Sequence, residues 1–231
     1  MPTVLITGAS RGLGLEFARQ YVEAGWKVLA CCREPAAAQA LHGLAKGHPG
    51  LSIHKLDLTR LVDVTALARE LSGETIDVLL NNAGVYGQAE QNRFGSLDYD
   101  FWAEAHRINV QAPVRMAEAF LPQVLRSERK LIVAVTSLMG SIADNDSGGS
   151  IIYRSTKAAL NAAMRSLSID LRDRGAGVLL LHPGWVLTDM GGSNAPTRPE
   201  ESIAGMRRVI DGFGPADSGR FVDFSGKELP W

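Results

Sequence analysis

The chain has 231 residues, a formal net charge of −1, and a composition that is 45% hydrophobic and 21% charged. That size and balance suit one α/β domain with a sizeable core, so a single domain over residues 1–231 is expected. With no basic block there is no electrostatic footing for nucleic acid or an anionic membrane. No apolar run reaches the ~18 residues of a membrane span, and no charged leader precedes the first strand.

Val4 to Ile6 is a short apolar, β-branched run, the pattern of a buried strand. Thr7-Gly8-Ala9-Ser10-Arg11-Gly12-Leu13-Gly14 follows, then a helical pattern with Leu15, Phe17, Ala18, Tyr21 and Val22. A strand, a glycine turn and a helix start are the parts of a phosphate cradle. Glycines let the backbone approach a ligand, and the helix start offers unpaired N–H groups and a positive dipole end. The spacing is Gly-x-x-x-Gly-x-Gly, unlike the commoner Gly-x-Gly-x-x-Gly, and a plain turn is the alternative for such a cluster taken alone.

Trp26 to Cys32 reads as a second strand and Pro35 to Lys46 as an alanine-rich helix. Cys31 and Cys32 are strand neighbours and so point to opposite faces. They read as two small buried residues rather than a disulfide, which suits a reducing cytoplasm. Leu51 to Leu56 is a third strand, Val62 to Leu71 a helix and Ile76 to Leu80 a fourth strand. Leu97 to Leu125 reads as mostly helical, with Pro113 expected to mark a bend and Pro122 a late break. Leu131 to Val135 is a fifth strand, Ile151 to Arg172 a long helix, Val178 to Leu181 a sixth strand, Ser202 to Ile210 a helix and Arg220 to Asp223 a last strand. The alternation predicts a Rossmann-like, doubly wound parallel sheet of about seven strands with helices on both faces. Asp144 to Ser150 and Met190 to Glu200 are candidate mobile loops.

Within the long helix, Tyr153 and Lys157 are four residues apart and share a face. A free phenol, with a pKa near ~10, is a poor acid at neutral pH. A neighbouring cation stabilises the phenolate, and the pair is then suited to exchanging a proton with a carbonyl or alcohol oxygen. An exposed polar turn is the alternative for the pair alone. In an open parallel sheet, ligands bind beyond the carboxyl ends of the strands. Gly8 to Gly14, Arg33, Asp57, Asn81-Asn82-Ala83-Gly84, Ser137 and Pro183-Gly184 each follow one of the six strands, so all fall at that edge.

Taken together, Thr7-Gly8-x-x-x-Gly12-x-Gly14, Asp57, Asn81-Asn82-Ala83-Gly84, Asn109, Ser137, Tyr153-x-x-x-Lys157 and Pro183-Gly184 with Thr188 resemble the classical short-chain dehydrogenase/reductase family over nearly the whole chain. Tyr153-Arg154-x-x-Lys157, Thr188-Asp189-Met190-Gly191-Gly192 and Leu229-Pro230-Trp231 are similar to its C-factor-like and sniffer-like carbonyl reductase branch. The resemblance implies that Tyr153 is the general acid in carbonyl reduction. It implies that Lys157 lowers the tyrosine pKa and holds the nicotinamide ribose, that Ser137 holds the substrate oxygen, and that Asn109 anchors a proton-carrying water. It also implies coenzyme contacts from Gly8, Ser10, Arg11, Gly12, Leu13, Gly14, Asp57, Leu58, Asn82, Ala83, Gly84, Tyr153, Lys157, Pro183, Gly184, Val186 and Thr188. For Asp57 a helix cap is the alternative.

An acidic residue at the end of strand two would accept bonds from a ribose 2′-hydroxyl. Arg33 occupies that place and is suited to a 2′-phosphate, with Arg11 able to approach it, so NADP(H) is expected. Glu34, one residue on, leaves NAD as the alternative. Leu138, Met139, Trp185 and Met190 are expected to wall the substrate pocket. Lacking a cationic clamp, that pocket suits an uncharged aldehyde or ketone. His182 reads as structural, and no metal is expected. A dinucleotide-binding regulator of the C-factor type and an NAD-dependent alcohol dehydrogenase stay open as alternatives. The family suggests a homodimer or homotetramer, with a monomer also open.

Overall fold

The computed structural model describes residues 1–88 and 92–231. Seven strands form one parallel sheet: β1 (Thr3–Thr7), β2 (Lys27–Cys32), β3 (Leu51–Lys55), β4 (Val78–Asn81), β5 (Leu131–Val135), β6 (Gly177–His182) and β7 (Phe221–Asp223). Their order is β3-β2-β1-β4-β5-β6-β7. Chain order reverses between β1 and β4, which opens a crevice at the carboxyl edge of the sheet. The parallel register is continuous from Val28↔Leu51 through Leu5↔Leu79 to Leu181↔Val222.

The helices are α1 (Gly12–Glu23), α2 (Gln39–Gly47), α3 (Leu61–Glu70), α4 (Tyr99–His106), α5 (Ala112–Leu125), α6 (Ile151–Asp170) and α7 (Pro199–Asp211). Side chains alternate across the sheet, so each strand feeds two cores. Val4, Ile6, Val28 and Leu181 pack with Phe17, Leu41 and Met206 on the face covered by α1, α2 and α7. Leu5, Leu29, Ile132 and Leu180 pack with Val64, Phe120 and Leu160 on the face covered by α3, α5 and α6. Cys32 lies in the first core and Cys31 in the second, both free thiols, as the alternation predicts. Among the described residues no helix is long and apolar enough to cross a membrane.

Three expectations need correction. Pro35 to Lys46 is not one helix: a 3-10 turn spans Pro35–Ala37, and α2 starts at Gln39. Ala38 between them leaves helical geometry (ψ 61°) and is buried in the core, so packing overrides alanine's helix preference. The bend expected at Pro113 is a π turn over Arg107–Gln111, just ahead of the proline. Proline cannot donate to the carbonyl four residues back, and the wider turn accommodates that loss. Pro122 does not end its helix, which runs on to Leu125. Gln123 holds that last turn, donating from Nε2 to the Ala68 carbonyl (2.8 Å) while its own carbonyl accepts from the Ile76 N–H (3.2 Å).

Candidate active site

A cleft of about 350 Å³ lies at the carboxyl edge, across the switch between β1 and β4. The glycine turn forms one wall because two of its residues cannot carry a side chain. Gly8 has φ +68°, and a Cβ there would sit 2.9 Å from the Ala83 Cα. At Gly14, in the first turn of α1, a Cβ would fall 2.1 Å from the Gly8 carbonyl oxygen. Asn82 fixes the facing wall: its Nδ2 donates to the Thr7 carbonyl (2.9 Å), while the Thr7 hydroxyl accepts from the Asn82 and Ala83 N–H groups (3.0 and 3.1 Å). Ser10, Arg11, Gly12 and Leu13 line the same wall, with Arg33, Asp57 and Leu58 at one end. Asp57 caps no helix, since α3 begins after Arg60. Its Oδ1 instead closes a local turn, accepting from the Thr59 N–H (2.9 Å) and hydroxyl (2.7 Å).

The cleft also holds the tyrosine–lysine pair expected from the sequence. Tyr153 and Lys157 lie one turn apart on α6 and both line the cleft, beside Ala83 and Gly84. The Lys157 Nζ donates to the Val135 carbonyl (3.0 Å), tying α6 to the end of β5. Ser137 follows that strand, its hydroxyl accepts from the Met139 N–H (3.1 Å), and its influence on the Tyr153 phenol is to lower the phenol's pKa. Asn109 sits in the π turn, fully buried. Its Oδ1 accepts from the Val85 N–H (2.8 Å), and its Nδ2 donates to the Val85 carbonyl (2.8 Å) and the Thr156 hydroxyl (3.0 Å). A Cβ on Gly84 would lie 3.3 Å from Asn109 Oδ1 and 3.6 Å from Lys157 Nζ, so both side chains approach Gly84.

The electrostatics differ from the expectation that the lysine lowers the phenol. Burial pushes Tyr153 up to about 12; the Ser137 hydrogen bond opposes this and the Tyr86 phenol adds to it. Burial also pushes Lys157 down to about 8. The lysine's Nζ lies 5.7 Å from the Tyr153 ring centroid and is bonded to Val135, so desolvation outweighs its attraction. At neutral pH the phenol keeps its proton, the state a proton donor requires.

Pro183, Thr188 and Met190 complete the cleft, but Gly184 and Val186 do not line it. Gly184 (φ +84°) faces Phe224, and Val186 bridges to Thr197. Of the expected substrate walls only Met190 lines the cleft. Leu138 packs against the core, and Met139 lies in the same short turn over Leu138–Gly140. Trp185 turns away, 57% exposed, with its indole N–H donating to the Gly191 carbonyl (2.7 Å). That bond and Leu187 N–H to Thr197 carbonyl (2.9 Å) fold the segment after β6 onto itself. His182 lies outside the lining and is pushed down to about 4 by burial, hence neutral. Among the described residues no cluster of His, Cys, Asp or Glu could hold a metal.

Tyr86 escaped the sequence reading. Its ring packs on Tyr153 (centroids 4.7 Å apart), and its hydroxyl bonds the Ser150 hydroxyl (2.8 Å). Ser150 has φ +45° at the start of α6, a left-handed conformation disfavoured by ~1–2 kcal/mol for a residue with a Cβ. Tyr86 thus braces both the Tyr153 ring and the strained entry to its helix. Its position two residues after Gly84 was the only signal.

The sequence matches the family model for short chain dehydrogenases over residues 2–199, and the chain belongs to the short-chain dehydrogenase/reductase family. It is 47% identical over 166 residues to C-signal of Myxococcus xanthus, covering 72% of this chain and 99% of that protein. The fold matches the carbonyl reductase Sniffer of D. melanogaster with a TM-score of 0.95 at 32% identity, over 100% of both chains. It matches the NADPH-bound carbonyl reductase from chicken fatty liver with a TM-score of 0.93 at 34% identity, over 100% of this chain and 99% of that one.

Proposed function

We propose that this chain is an NADP(H)-dependent carbonyl reductase acting on uncharged aldehydes or ketones, with Tyr153 as general acid. The observation that carries the reading is one continuous cleft lined both by the glycine turn and by Tyr153, with Lys157 one helical turn on from the tyrosine. The residues fit a dinucleotide: Gly8 and Gly14 leave no room for side chains, and α1 begins at Gly12 with no side-chain cap, where helix N–H groups favour an anion. A bound nicotinamide would supply the hydride. The chain's own task is then to orient the carbonyl, favour negative charge on its oxygen and deliver one proton. Ser137 offers a hydroxyl to that oxygen. Tyr153, protonated at neutral pH, gives up its proton as the oxygen becomes an alkoxide, and the Lys157 ammonium favours the resulting phenolate.

Substrate charge follows from the lining at this end. Val85, Ile108, Val135 and Met190 are apolar, and Lys157 is already held by Val135. Among the described residues that line this end, no second cation awaits a carboxylate or phosphate. Arg33 supports NADP(H) at the other end, where it lines the cleft with its side chain 69% exposed. Arg33→Ala is expected to weaken NADPH binding by about tenfold or more while leaving NADH nearly unchanged, since a charge-assisted bond to phosphate is lost. Fluorescence titration of both coenzymes measures this, and an unchanged ratio removes the phosphate argument.

A panel of carbonyl compounds with NADPH, followed by loss of nicotinamide absorbance, tests the activity. The similarity to C-signal favours a second reading, a dinucleotide-binding signalling protein with little turnover. Tight NADPH binding with no turnover across aldehydes and ketones would select it.

A further inference from the structure

Arg11 does not reach freely into the cleft. Its Nη1 meets Asp189 Oδ2 at 2.5 Å, joining the turn after β1 to the loop after β6. The two residues are 178 positions apart in sequence, and both line the dinucleotide cleft. Their side chains are 76% and 79% exposed. An ion pair so exposed contributes little to stability and breaks easily. Arg33 is also partly countered, with its Nε 3.7 Å from Glu34 Oε1. Both guanidiniums suited to a 2′-phosphate thus already have a carboxylate neighbour.

We infer that Asp189 competes with the coenzyme's 2′-phosphate for Arg11, so that Asp189 is a specificity-determining residue that holds down the preference for NADP(H) over NAD(H). The inference rests on the coenzyme reading above. A phosphate carries more charge than a carboxylate and takes a guanidinium bidentately, so it displaces Asp189. Separating the ion pair subtracts from the affinity gained. A coenzyme with a free 2′-hydroxyl leaves the pair intact and meets no such opposition. Asp189 is followed by Met190, the one expected substrate-wall residue that lines the cleft.

The test is a double-mutant cycle read by equilibrium binding of NADPH and NADH to wild type, Asp189→Asn, Arg11→Ala and the double variant. Asp189→Asn is expected to tighten NADPH by about two- to fivefold, the range of an exposed ion pair, with a smaller change for NADH. In the Arg11→Ala background the same substitution should leave the NADPH-to-NADH ratio unchanged. Melting curves should agree among the variants to within a few degrees, showing that all are folded. Equal tightening of both coenzymes would indicate a general field effect and overturn the inference. So would a silent Asp189→Asn, or a gain that persists without Arg11. If Arg11→Ala weakens NADPH while Asp189→Asn is silent, only the competition fails and the coenzyme reading stands. If wild type binds neither coenzyme, both fail together.

Discussion

Replacing Tyr153 by Phe should lower kcat/KM for carbonyl reduction by about 10²–10⁴, the usual contribution of a positioned proton donor. The fold should survive, because the ring keeps its contact with Tyr86 (centroids 4.7 Å apart) and only the hydroxyl is lost. NADPH affinity should change little, since the phenyl ring fills the same place in the cleft wall. That combination, a large fall in turnover with nearly constant coenzyme binding, separates a lost proton donor from a collapsed site. Burial holds the phenol at about 12, so almost every molecule carries at neutral pH the proton that phenylalanine lacks. A variant reducing carbonyls at the wild-type rate would remove Tyr153 from the chemistry.

The second large effect is expected from Gly14→Ala, and its sign is opposite to the usual rule. Alanine in place of glycine inside a helix ordinarily gains ~0.5–1 kcal/mol. Gly14 lies in the first turn of α1, yet a Cβ there would be 2.1 Å from the Gly8 carbonyl oxygen and 2.6 Å from Asn82 Nδ2. Both walls of the cradle must move apart, and overpacking of this kind costs ~1–3 kcal/mol. We expect Gly14→Ala to melt several degrees lower and to bind NADPH at least about tenfold more weakly. Gly43→Ala is the matched control. That glycine is also helical, in α2, and a Cβ there meets nothing within 4 Å, so the ordinary gain should appear. Calorimetry and coenzyme titration on the two variants together decide whether space or helix preference governs Gly14.

Much of the architecture was legible because strands buried on both faces appear as unbroken apolar runs, as in residues 78–80 and Leu131–Val135. The placement of the cleft was legible for a related reason: once the strand ends are known, the residues after them must share an edge. What was hidden depended on contacts between distant segments. The π turn at Asn109 follows from pairing with Val85 and Thr156, not from local preference. Pro122 leaves its helix intact because Gln123 is anchored by Ala68 and Ile76. The direction of the Tyr153 shift depends on burial, to which the sequence offers no access, and on a Tyr86 ring from another segment. Trp185 looked like a pocket wall by position alone, while its indole had a partner in Gly191.

The carboxamide of Asn109 exchanges a donor and an acceptor with one backbone unit, Val85, as a neighbouring strand would. With Thr156 it reaches 24 residues in one direction and 47 in the other. Contacts of such sequence separation carry a loop-closure cost and exist only when remote segments have docked. A chain caught part-way through folding therefore lacks this junction of three segments. On the proposed reading, turnover would be confined to molecules whose assembly is complete.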